Sequence, residues 1–173
     1  AGWGGPTDQY QVTGGVLTCK PEKGGTIYVN EEYRNFAARV EFKLPPAGNN
    51  GLAIRYPGKG DPAYAGVEVQ VLDDSAKQYE NLKPYQYHGS VYGVVPSQRG
   101  YQRPVGEWNF EEVTVKGSRY TVVLNGTVIV DADIAGLTSN LKDHVGKDRS
   151  EGHFGFCGHN DPVEFRAIAI KKL

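Results

Sequence analysis

Two runs of alternating apolar and polar residues lie on either side of a turn region at positions 57–62. Side chains along a strand point alternately to opposite faces of the sheet. One face of the first run, 49–56, is formed by Leu52, Ile54 and Tyr56, and the other by Asn49, Gly51, Ala53 and Arg55. In the second run, 67–72, three valines share the face opposite Glu68 and Gln70. This pattern predicts two neighbouring strands of a sheet with one side on a core.

The polar face of these two strands combines charged groups with very small side chains. Arg55, Glu68 and Gln70 would lie beside Gly51 and Ala53. A merely solvated face would more often carry Lys, Thr and Ser, whereas small residues around a guanidinium and a carboxylate leave a concavity. The face is therefore a candidate site for a polar ligand. The alternative is a cross-strand salt bridge between Arg55 and Glu68 on an ordinary solvated face.

Composition limits the class of protein to which the chain belongs. Its 173 residues are predicted to form one domain, 1–173. The 23 glycines, 10 prolines and 11 tyrosines are typical of short strands joined by tight turns, so an all-β fold is expected. The net charge of -1 provides no electrostatic footprint for nucleic acid. No apolar run approaches the ~20 residues that a membrane span needs.

The rest of the chain adds further strands to this pattern. Asn125-Gly126 lies between two β-branched runs and predicts a two-residue hairpin turn, because a type I′ turn needs positive φ at both positions. Further strand-like runs occupy positions 10–19, 26–29, 36–44, 113–116, 154–157 and 163–170. A charged, irregular segment at 139–152 is expected to be a surface loop. Together these runs predict a sandwich of roughly a dozen strands.

The segment from Asp74 to Trp108 has little periodicity and is rich in tyrosine. Irregular segments of this length in a compact domain are usually functional or disordered, and aromatic residues argue against disorder. Ordered tyrosines would form amphipathic surfaces suited to sugar rings. The alternative is a tyrosine-rich cover over the edge of the sheet.

Cys19 and Cys157 are the only cysteines, and each lies in an apolar strand-like run. Buried free thiols and a single disulfide are both compatible with this pattern. Neither cysteine has a neighbour at CxxC spacing, which argues against a zinc site.

Six segments, in order, resemble the 3-keto-disaccharide hydrolase family, long known only as a domain of unknown function or glycosyl hydrolase candidate. They are NNGLAIRY (49–56), GVEVQVLD (66–73), HGSVYGVVP (88–96), GEWN (106–109), VVLNGTVIVDAD (122–133) and GHNDPVEFRAIAIKKL (158–173). The resemblance runs from about Trp3 to Leu173. It implies a concanavalin A-like jelly-roll sandwich of two curved antiparallel sheets with a sugar-binding face. It also implies an extracytoplasmic location, periplasmic or secreted.

The related β-glucanases of this fold carry their catalytic acids as Glu-x-Asp-x-x-Glu on one strand. Here Glu68-x-Gln70-x-x-Asp73 has that spacing, with an amide in the middle position. Hydrolysis of an ordinary glycoside needs two carboxyl groups flanking the bond. Gln70 can take neither role, so the resemblance does not extend to retaining glucanase chemistry.

A 3-keto sugar relaxes this requirement, because the ketone acidifies the neighbouring C2 hydrogen. One base then suffices for elimination of the glycosidic oxygen, and water adds back to complete net hydrolysis. Glu68 or His88 is the hypothesised base, Arg55 and Gln70 surround the ketone or ring hydroxyls, and Asp73 orients the base or binds a cation. A divalent cation could supply part of the clamp on the ketone, although no residues here have dedicated metal-ligand spacing.

The other candidate site residues are expected to bind the sugar: Asn49, Tyr87, Tyr92, Trp108, Asn109 and His159. Structural roles compete with several of these assignments. His88 could cap a turn, Asp73 could be a turn residue, and Trp108 could anchor the core. The family's histidine at the position of His159 tends toward the cleft.

Three functions remain open from the sequence. The first is an enzyme that cleaves glycosidic bonds in oxidised disaccharides or glycosides. The second is a noncatalytic carbohydrate-binding module or lectin on the same fold, since fold does not fix function. The third is a conventional glycosidase. All three predict a carbohydrate as the ligand.

Overall fold

A computed structural model of the protein describes residues 2–173, which form twelve strands, one short α-helix and three short 3₁₀-helices. The strands are β1 (Trp3–Gly4), β2 (Tyr10–Thr13), β3 (Val16–Cys19), β4 (Gly24–Tyr33), β5 (Phe36–Lys43), β6 (Asn49–Tyr56), β7 (Val67–Leu72), β8 (Trp108–Lys116), β9 (Arg119–Leu124), β10 (Thr127–Asp133), β11 (Gly152–His159) and β12 (Glu164–Lys172). The helix α1 (Pro62–Ala65) joins β6 to β7. The predicted all-β, concanavalin A-like sandwich is confirmed.

The strands form two antiparallel sheets that pack face to face. The five-stranded sheet has the order β1-β4-β11-β6-β7, and the seven-stranded sheet has the order β10-β9-β8-β5-β12-β3-β2. One cluster of buried apolar side chains fills the space between them. It includes the three valines of β7 and, facing them from the other sheet, Val40 and Phe42 of β5. The opposite faces of both sheets are therefore the outer faces of the sandwich.

The hairpin predicted at Asn125-Gly126 is confirmed. Asn125 and Gly126 both have positive φ, 49° and 87°, and they connect β9 to β10 in an antiparallel pair. Strand β8 pairs with β9 on the other side, as expected. The first half of the chain differs in one respect. The strand expected at 26–29 is part of the ten-residue β4, which continues through polar, partly exposed positions.

Strands β6 and β7 pair antiparallel, with Gly51 opposite Gln70 and Ala53 opposite Glu68. The side chains of these strands lie on the predicted faces up to Ile54, but not beyond it. On the β11 side, Gly155 and His153 pair with Ala53 and Tyr56, so three steps along β6 match two along β11. This bulge places Arg55 at φ 52° and exchanges the faces of Arg55 and Tyr56. Tyr56 consequently joins Ala53 on the outer face, and the prediction that Arg55 shares that face is wrong.

Both cysteines are free and buried, and they lie on opposite sides of the five-stranded sheet. Cys19 belongs to the main cluster between the sheets, whereas Cys157 packs with Ala53 and Tyr56 on the outer face. The interpretation as buried thiols is therefore confirmed. Across residues 2–173, no helix has the length and apolar character needed to cross a membrane.

Candidate active site

A pocket of about 260 Å³ lies on the outer face of the five-stranded sheet. The side chains around it come from β6, β7, α1, β11 and the long loop after β7. They are Asn49, Asp61, Ala63, Tyr64, Glu68, Gln70, Tyr92 and His159. The structure thus brings together Asn49, Glu68, Gln70, Tyr92 and His159 from the residues that the sequence predicted. Asp61 and Tyr64 also line the pocket, although the sequence analysis did not identify them as site residues.

Glu68 is the most strongly perturbed acid of this pocket. It is the second residue of β7 and is 5% exposed. Burial, and secondarily the charge of Asp61, raises the pKa of Glu68 to about 8. No hydrogen bond to its carboxyl contributes to this shift in the described part of the chain. A carboxyl group with a raised pKa and no committed partner is free to exchange a proton with a ligand.

Gly51 makes room for this carboxyl group. A Cβ atom at position 51 would lie 1.9 Å from Oε1 of Glu68 and 2.6 Å from its Cδ. The three atoms closest to such a Cβ all belong to the Glu68 side chain. The space left by the missing side chain of Gly51 is therefore occupied by the carboxyl group of Glu68.

Asp61 and Tyr64 enter the pocket from α1. Asp61 caps the N-terminus of this helix, because its Oδ1 accepts a hydrogen bond of 2.9 Å from the backbone N–H of Ala63. Pro62 follows at the first helical position, where it needs no hydrogen bond of its own. An Asp-Pro pair is a recognisable helix-start signal. The sequence analysis assigned both residues to a turn, which is why Asp61 was missed.

Gln70 and Tyr92 form another part of the lining. The amide of Gln70 donates to the carbonyl of Gln86 at 3.3 Å, and Gln86 in turn donates to the hydroxyl of Tyr92 at 2.9 Å. The loop after β7 is tied to this strand because the N–H of Tyr92 donates to the carbonyl of Glu68 at 2.8 Å. These contacts hold Tyr92 beside the two polar residues of β7.

Asn49 and His159 complete the pocket at its rim. The backbone N–H of Asn49 donates to Oδ2 of Asp161 at 3.0 Å, whereas its side-chain Oδ1 is buried and has no hydrogen-bond partner among the described residues. A buried carbonyl oxygen without a partner is costly unless a ligand or water satisfies it. His159 is exposed at the end of β11. Desolvation lowers the pKa of His159, although the carboxylates of Asp61 and Asp161 oppose this shift.

His88 lies elsewhere, in the core between the sheets. Its Nε2 is 2.6 Å from Oε2 of Glu111 on β8, and its ring packs 4.9 Å from that of Phe42 on β5. The residue is 2% exposed. The structure therefore separates His88 from the Glu68 pocket and gives it a structural setting, because the loop after β7 folds inward at this point.

Arg55 is also outside the pocket. Its Nε and Nη2 donate to the carbonyl of Arg34 at 3.2 and 2.6 Å, and its Nη1 donates to the carbonyl of Arg149 at 2.8 Å. It is 4% exposed. The bulge in β6 directs the guanidinium to these two loops, so neither the expected clamp nor a salt bridge to Glu68 forms.

Asp73 has the setting of a turn residue. Its Oδ2 accepts a hydrogen bond of 2.8 Å from the N–H of Ala47, and its Oδ1 accepts one of 3.0 Å from the N–H of Ser75. Its carboxylate is thus committed to closing the turn after β7. The geometry does not place it in contact with the pocket around Glu68.

The remaining predicted binding residues are distributed over other surfaces. Tyr87 is buried, donates to the carbonyl of Glu80 at 3.1 Å and lies under the guanidinium of Arg99. Trp108 belongs to the other sheet, where Arg166 lies 4.0 Å above its ring. Asn109 is 2% exposed and accepts a hydrogen bond of 2.8 Å from the N–H of Arg103. None of these three lines the Glu68 pocket.

Within residues 2–173, no group of three or more His, Cys, Asp and Glu side chains is arranged to hold a metal ion. The side chains that line the Glu68 pocket offer carboxyl groups, amides, phenols and an imidazole.

Comparison with known proteins gives the family. The sequence profile of the 3-keto-alpha-glucoside-1,2-lyase-like domain matches residues 1–171, which is nearly the whole chain. The chain belongs to this family. The resemblance inferred from the six sequence segments is thereby confirmed.

Two relatives support this assignment. A curated 3-keto-disaccharide hydrolase of Bacteroides thetaiotaomicron is 26% identical over 182 residues, covering 87% of this chain. The match covers 62% of that relative's length, so this chain corresponds to only part of it. A solved structure of a candidate glycosyl hydrolase from Parabacteroides distasonis is 27% identical with a TM-score of 0.87, covering 99% of this chain and 94% of that chain.

Noncatalytic proteins share the same architecture. The carbohydrate-binding module CBM66 from Bacillus subtilis superposes with a TM-score of 0.63 over 99% of this chain and 96% of its own, at 15% identity. At that identity the similarity concerns the fold alone. Members of this fold class therefore include both binding modules and family relatives described as hydrolases, and the residues of the pocket have to decide between these functions.

Proposed function

We propose that this chain cleaves glycosidic bonds of 3-keto-glycosides or 3-keto-disaccharides at the Glu68 pocket, by elimination followed by hydration. The observation that carries the proposal is Glu68 itself, a buried and uncommitted carboxyl group whose pKa is raised to about 8. A binding module has no need of such a group, because burying an acid is costly. The family of the chain and its curated Bacteroides relative support the same chemistry.

The reaction begins with removal of the proton at C2 of the sugar. The ionised Glu68 carboxylate takes this proton, and the electrons of the C2–H bond form an enolate with the C3 ketone. The enolate then expels the glycosidic oxygen, which breaks the C1–O bond and leaves a double bond between C1 and C2. Water adds at C1, the proton that this water loses passes through solvent to the expelled glycosidic oxygen, and C2 regains a proton from protonated Glu68. The sum is hydrolysis of the glycosidic bond with the ketone unchanged.

The raised pKa of Glu68 favours this role. A carbon-bound proton is weakly acidic, so a more basic carboxylate removes it with less cost, provided that enough of the ionised form is present at the operating pH. With a pKa of about 8, both forms of Glu68 are accessible near neutral pH. The same group can therefore accept the proton in one step and return it in the next.

Other residues of the pocket are suited to orient the sugar. Gln70 and Asn49 offer amide groups for the ring hydroxyls and the ketone, and Tyr92 offers a phenol. The unpartnered Oδ1 of Asn49 would accept a hydrogen bond from a sugar hydroxyl. The pocket volume of about 260 Å³ is below that of sites for drug-sized ligands, so it suits a single sugar ring.

The test is product chromatography with a 3-keto-glucoside and its unoxidised parent, each with and without a chelator. We expect cleavage of the keto form only, with kcat/KM rising by about tenfold per pH unit below pH 8 and levelling off above it. Loss of activity with the chelator would indicate that a bound metal ion helps to polarise the ketone.

The Glu68→Gln variant separates an enzyme from a binding module. For an enzyme we expect retained sugar affinity and a loss in kcat of about 10²- to 10⁴-fold. Saturable binding of sugars without cleavage of either substrate would identify a carbohydrate-binding module instead. Cleavage of the unoxidised parent alone would rule out the elimination mechanism.

A further inference from the structure

Asp61 is the second carboxyl group that lines the Glu68 pocket, and the fold holds it in place. Its Oδ1 is fixed by the N–H of Ala63 at the start of α1. The helix is in turn attached to the loop after β10, because the N–H of Gly146 donates to the carbonyl of Tyr64 at 2.8 Å. A Cβ atom at Gly146 would come within 2.1 Å of the backbone at Ala65, so the loop and helix are in direct backbone contact. The position of Asp61 is therefore set by backbone contacts.

The two carboxyl groups have opposite environments. Asp61 is exposed at the rim, whereas Glu68 is 5% exposed beneath it. Acids that share a site but differ in solvation are expected to remain in different protonation states over a wide pH range. Glu68 is accordingly the member whose pKa is raised, by burial first and by the negative charge of Asp61 second.

The other groups around Glu68 do not compensate the charge of Asp61. Tyr64 on α1 and Tyr92 on the loop are phenols, which cannot carry a positive charge, and the pKa of the Cys157 thiol on β11 is raised well above its usual value by burial. His159 at the end of β11 has a lowered pKa, which favours its neutral form. On β6, the residues paired with this part of β7 are Gly51 and Ala53, which do not titrate. Among the described residues that line the pocket, none is Lys or Arg.

We propose that Asp61 is a positioning residue that acts on Glu68 through space, as the fixed negative charge that makes Glu68 a stronger base toward the C2 proton. The proposal rests on the proposed function for its chemistry and on the shared pocket for its geometry. In this proposal Asp61 exchanges no proton with the substrate, so the balance of the elimination is unchanged. The charge of Asp61 is also one of the two causes of the raised pKa of Glu68, after burial.

The Asp61→Asn variant tests this inference without removing the helix cap, since Asn caps helices about as well as Asp. We expect the Glu68 carboxyl, followed by carbon-13 NMR as a function of pH, to titrate at lower pH in the variant than in the wild type. The acid limb of the pH profile of kcat/KM should move in the same direction. At pH 9 the rate should fall by up to about tenfold, the change that corresponds to one pKa unit in the strength of the base.

Two further variants serve as controls. Asp161→Asn removes a carboxylate close to the rim that contacts the N–H of Asn49, and it should leave the titration of Glu68 in place. Asp61→Ala removes the cap together with the charge, so it should shift the titration as Asp61→Asn does and should also lower Tm. Agreement of the two Asp61 variants in the titration assigns the effect to charge.

An unchanged titration of Glu68 in Asp61→Asn would overturn the inference. Equal shifts in Asp61→Asn and Asp161→Asn would overturn it as well, because the effect would then belong to net charge. The NMR titration does not depend on turnover. Absence of cleavage by the wild type would therefore count against the proposed function alone, and the titration would still decide the role of Asp61.

Discussion

Nε2 of His88 lies 2.6 Å from Oε2 of Glu111 in the core between the two sheets, and both side chains are at most 1% exposed. The backbone N–H of Leu72 donates to Nδ1 of His88 at 3.3 Å, so Nε2 carries the hydrogen that is donated to Glu111. The second carboxyl oxygen of Glu111, Oε1, has no hydrogen-bond partner in the described structure. Glu111 therefore depends on His88 as its partner in the core.

Replacing His88 should destabilise the fold more than it affects catalysis. His88→Ala leaves the Glu111 carboxyl buried without its remaining partner, which typically costs about 3 to 5 kcal/mol. We expect a correspondingly lower free energy of unfolding in urea, with kcat/KM per folded molecule close to that of the wild type. The double variant His88→Leu with Glu111→Leu should recover part of the stability, because it leaves no buried carboxyl group and costs only the hydrogen bond from the N–H of Leu72. A large fall in kcat in a stable double variant would instead give His88 a catalytic role.

Arg55 is predicted to be a structural residue for a different reason. Its guanidinium makes three hydrogen bonds to the carbonyls of Arg34 and Arg149, which belong to separate loops. Hydrogen bonds from charged groups contribute about 1.5 to 3 kcal/mol each at most, and they are not additive. Arg55→Met should therefore lower the free energy of unfolding by a few kcal/mol and leave KM for the keto-glycoside unchanged.

Measurement of both quantities on Arg55→Met distinguishes the two roles of Arg55. A matched control is Arg39→Met, since Arg39 forms an exposed ion pair with Glu112 on the outer face of the seven-stranded sheet. Exposed pairs contribute little, so the control should lose less than about 1 kcal/mol. If KM rises in Arg55→Met but not in the control, at unchanged stability, Arg55 contributes to substrate binding.

The strand pattern predicted much of the sandwich, because side-chain alternation is a local property. Glu68 and Gln70 were placed on one polar face opposite the valines, and the structure has them there. The face of Arg55 could not be predicted, because one extra residue in β6 reverses the alternation and nothing in the run NNGLAIRY marks the bulge. A one-residue shift is sufficient to send a side chain to the other side of a sheet.

The residues assigned from the long loop depended on contacts that are distant in sequence. His88 is the alternative to Glu68 as the base in the sequence-based hypothesis, yet the loop turns inward and pairs it with Glu111 from β8. Trp108 starts a strand of the other sheet, so its proximity in sequence to the loop says nothing about the pocket. Asp61 had a local signal, the Asp-Pro start of a helix, but its place in the pocket depends on how α1 packs on β6 and β7.

The raised pKa of Glu68 implies a stability cost that depends on pH. The unfolded chain loses this proton near pH 4.5, whereas the folded protein keeps it until about pH 8. The folded state therefore binds more protons between these values, and its stability falls as the pH rises through this window. Glu68→Gln removes the dependence. We expect the variant to gain stability relative to the wild type from pH 4 to pH 9, by a few kcal/mol at the upper end.

Urea unfolding of both proteins at pH 4, 6 and 9 measures this gain. Comparing the differences between pH values cancels the effect of placing an amide in the pocket. Glu107→Gln, at an exposed position, is the matched control and should show no such trend. A constant difference between Glu68→Gln and the wild type at all three pH values would mean that Glu68 titrates normally in the folded protein.

Gly51→Ala tests whether the position of the Glu68 carboxyl matters for turnover. The added Cβ would lie 1.9 Å from Oε1 of Glu68, and the three atoms nearest to it all belong to the Glu68 side chain, so the carboxyl must move. A displacement of about 1 Å at a reacting group can cost about a hundredfold in rate. We expect kcat to fall by about that factor with keto-glycosides, and the pH at which Glu68 titrates to change because its solvation changes. In the Glu68→Ala background the same substitution should have almost no effect on stability, because the clashing atoms are absent. A Gly51→Ala variant with wild-type kcat would show that proton transfer does not depend on the position of the Glu68 carboxyl. Asp61, the other acid of the pocket, would then become the candidate base.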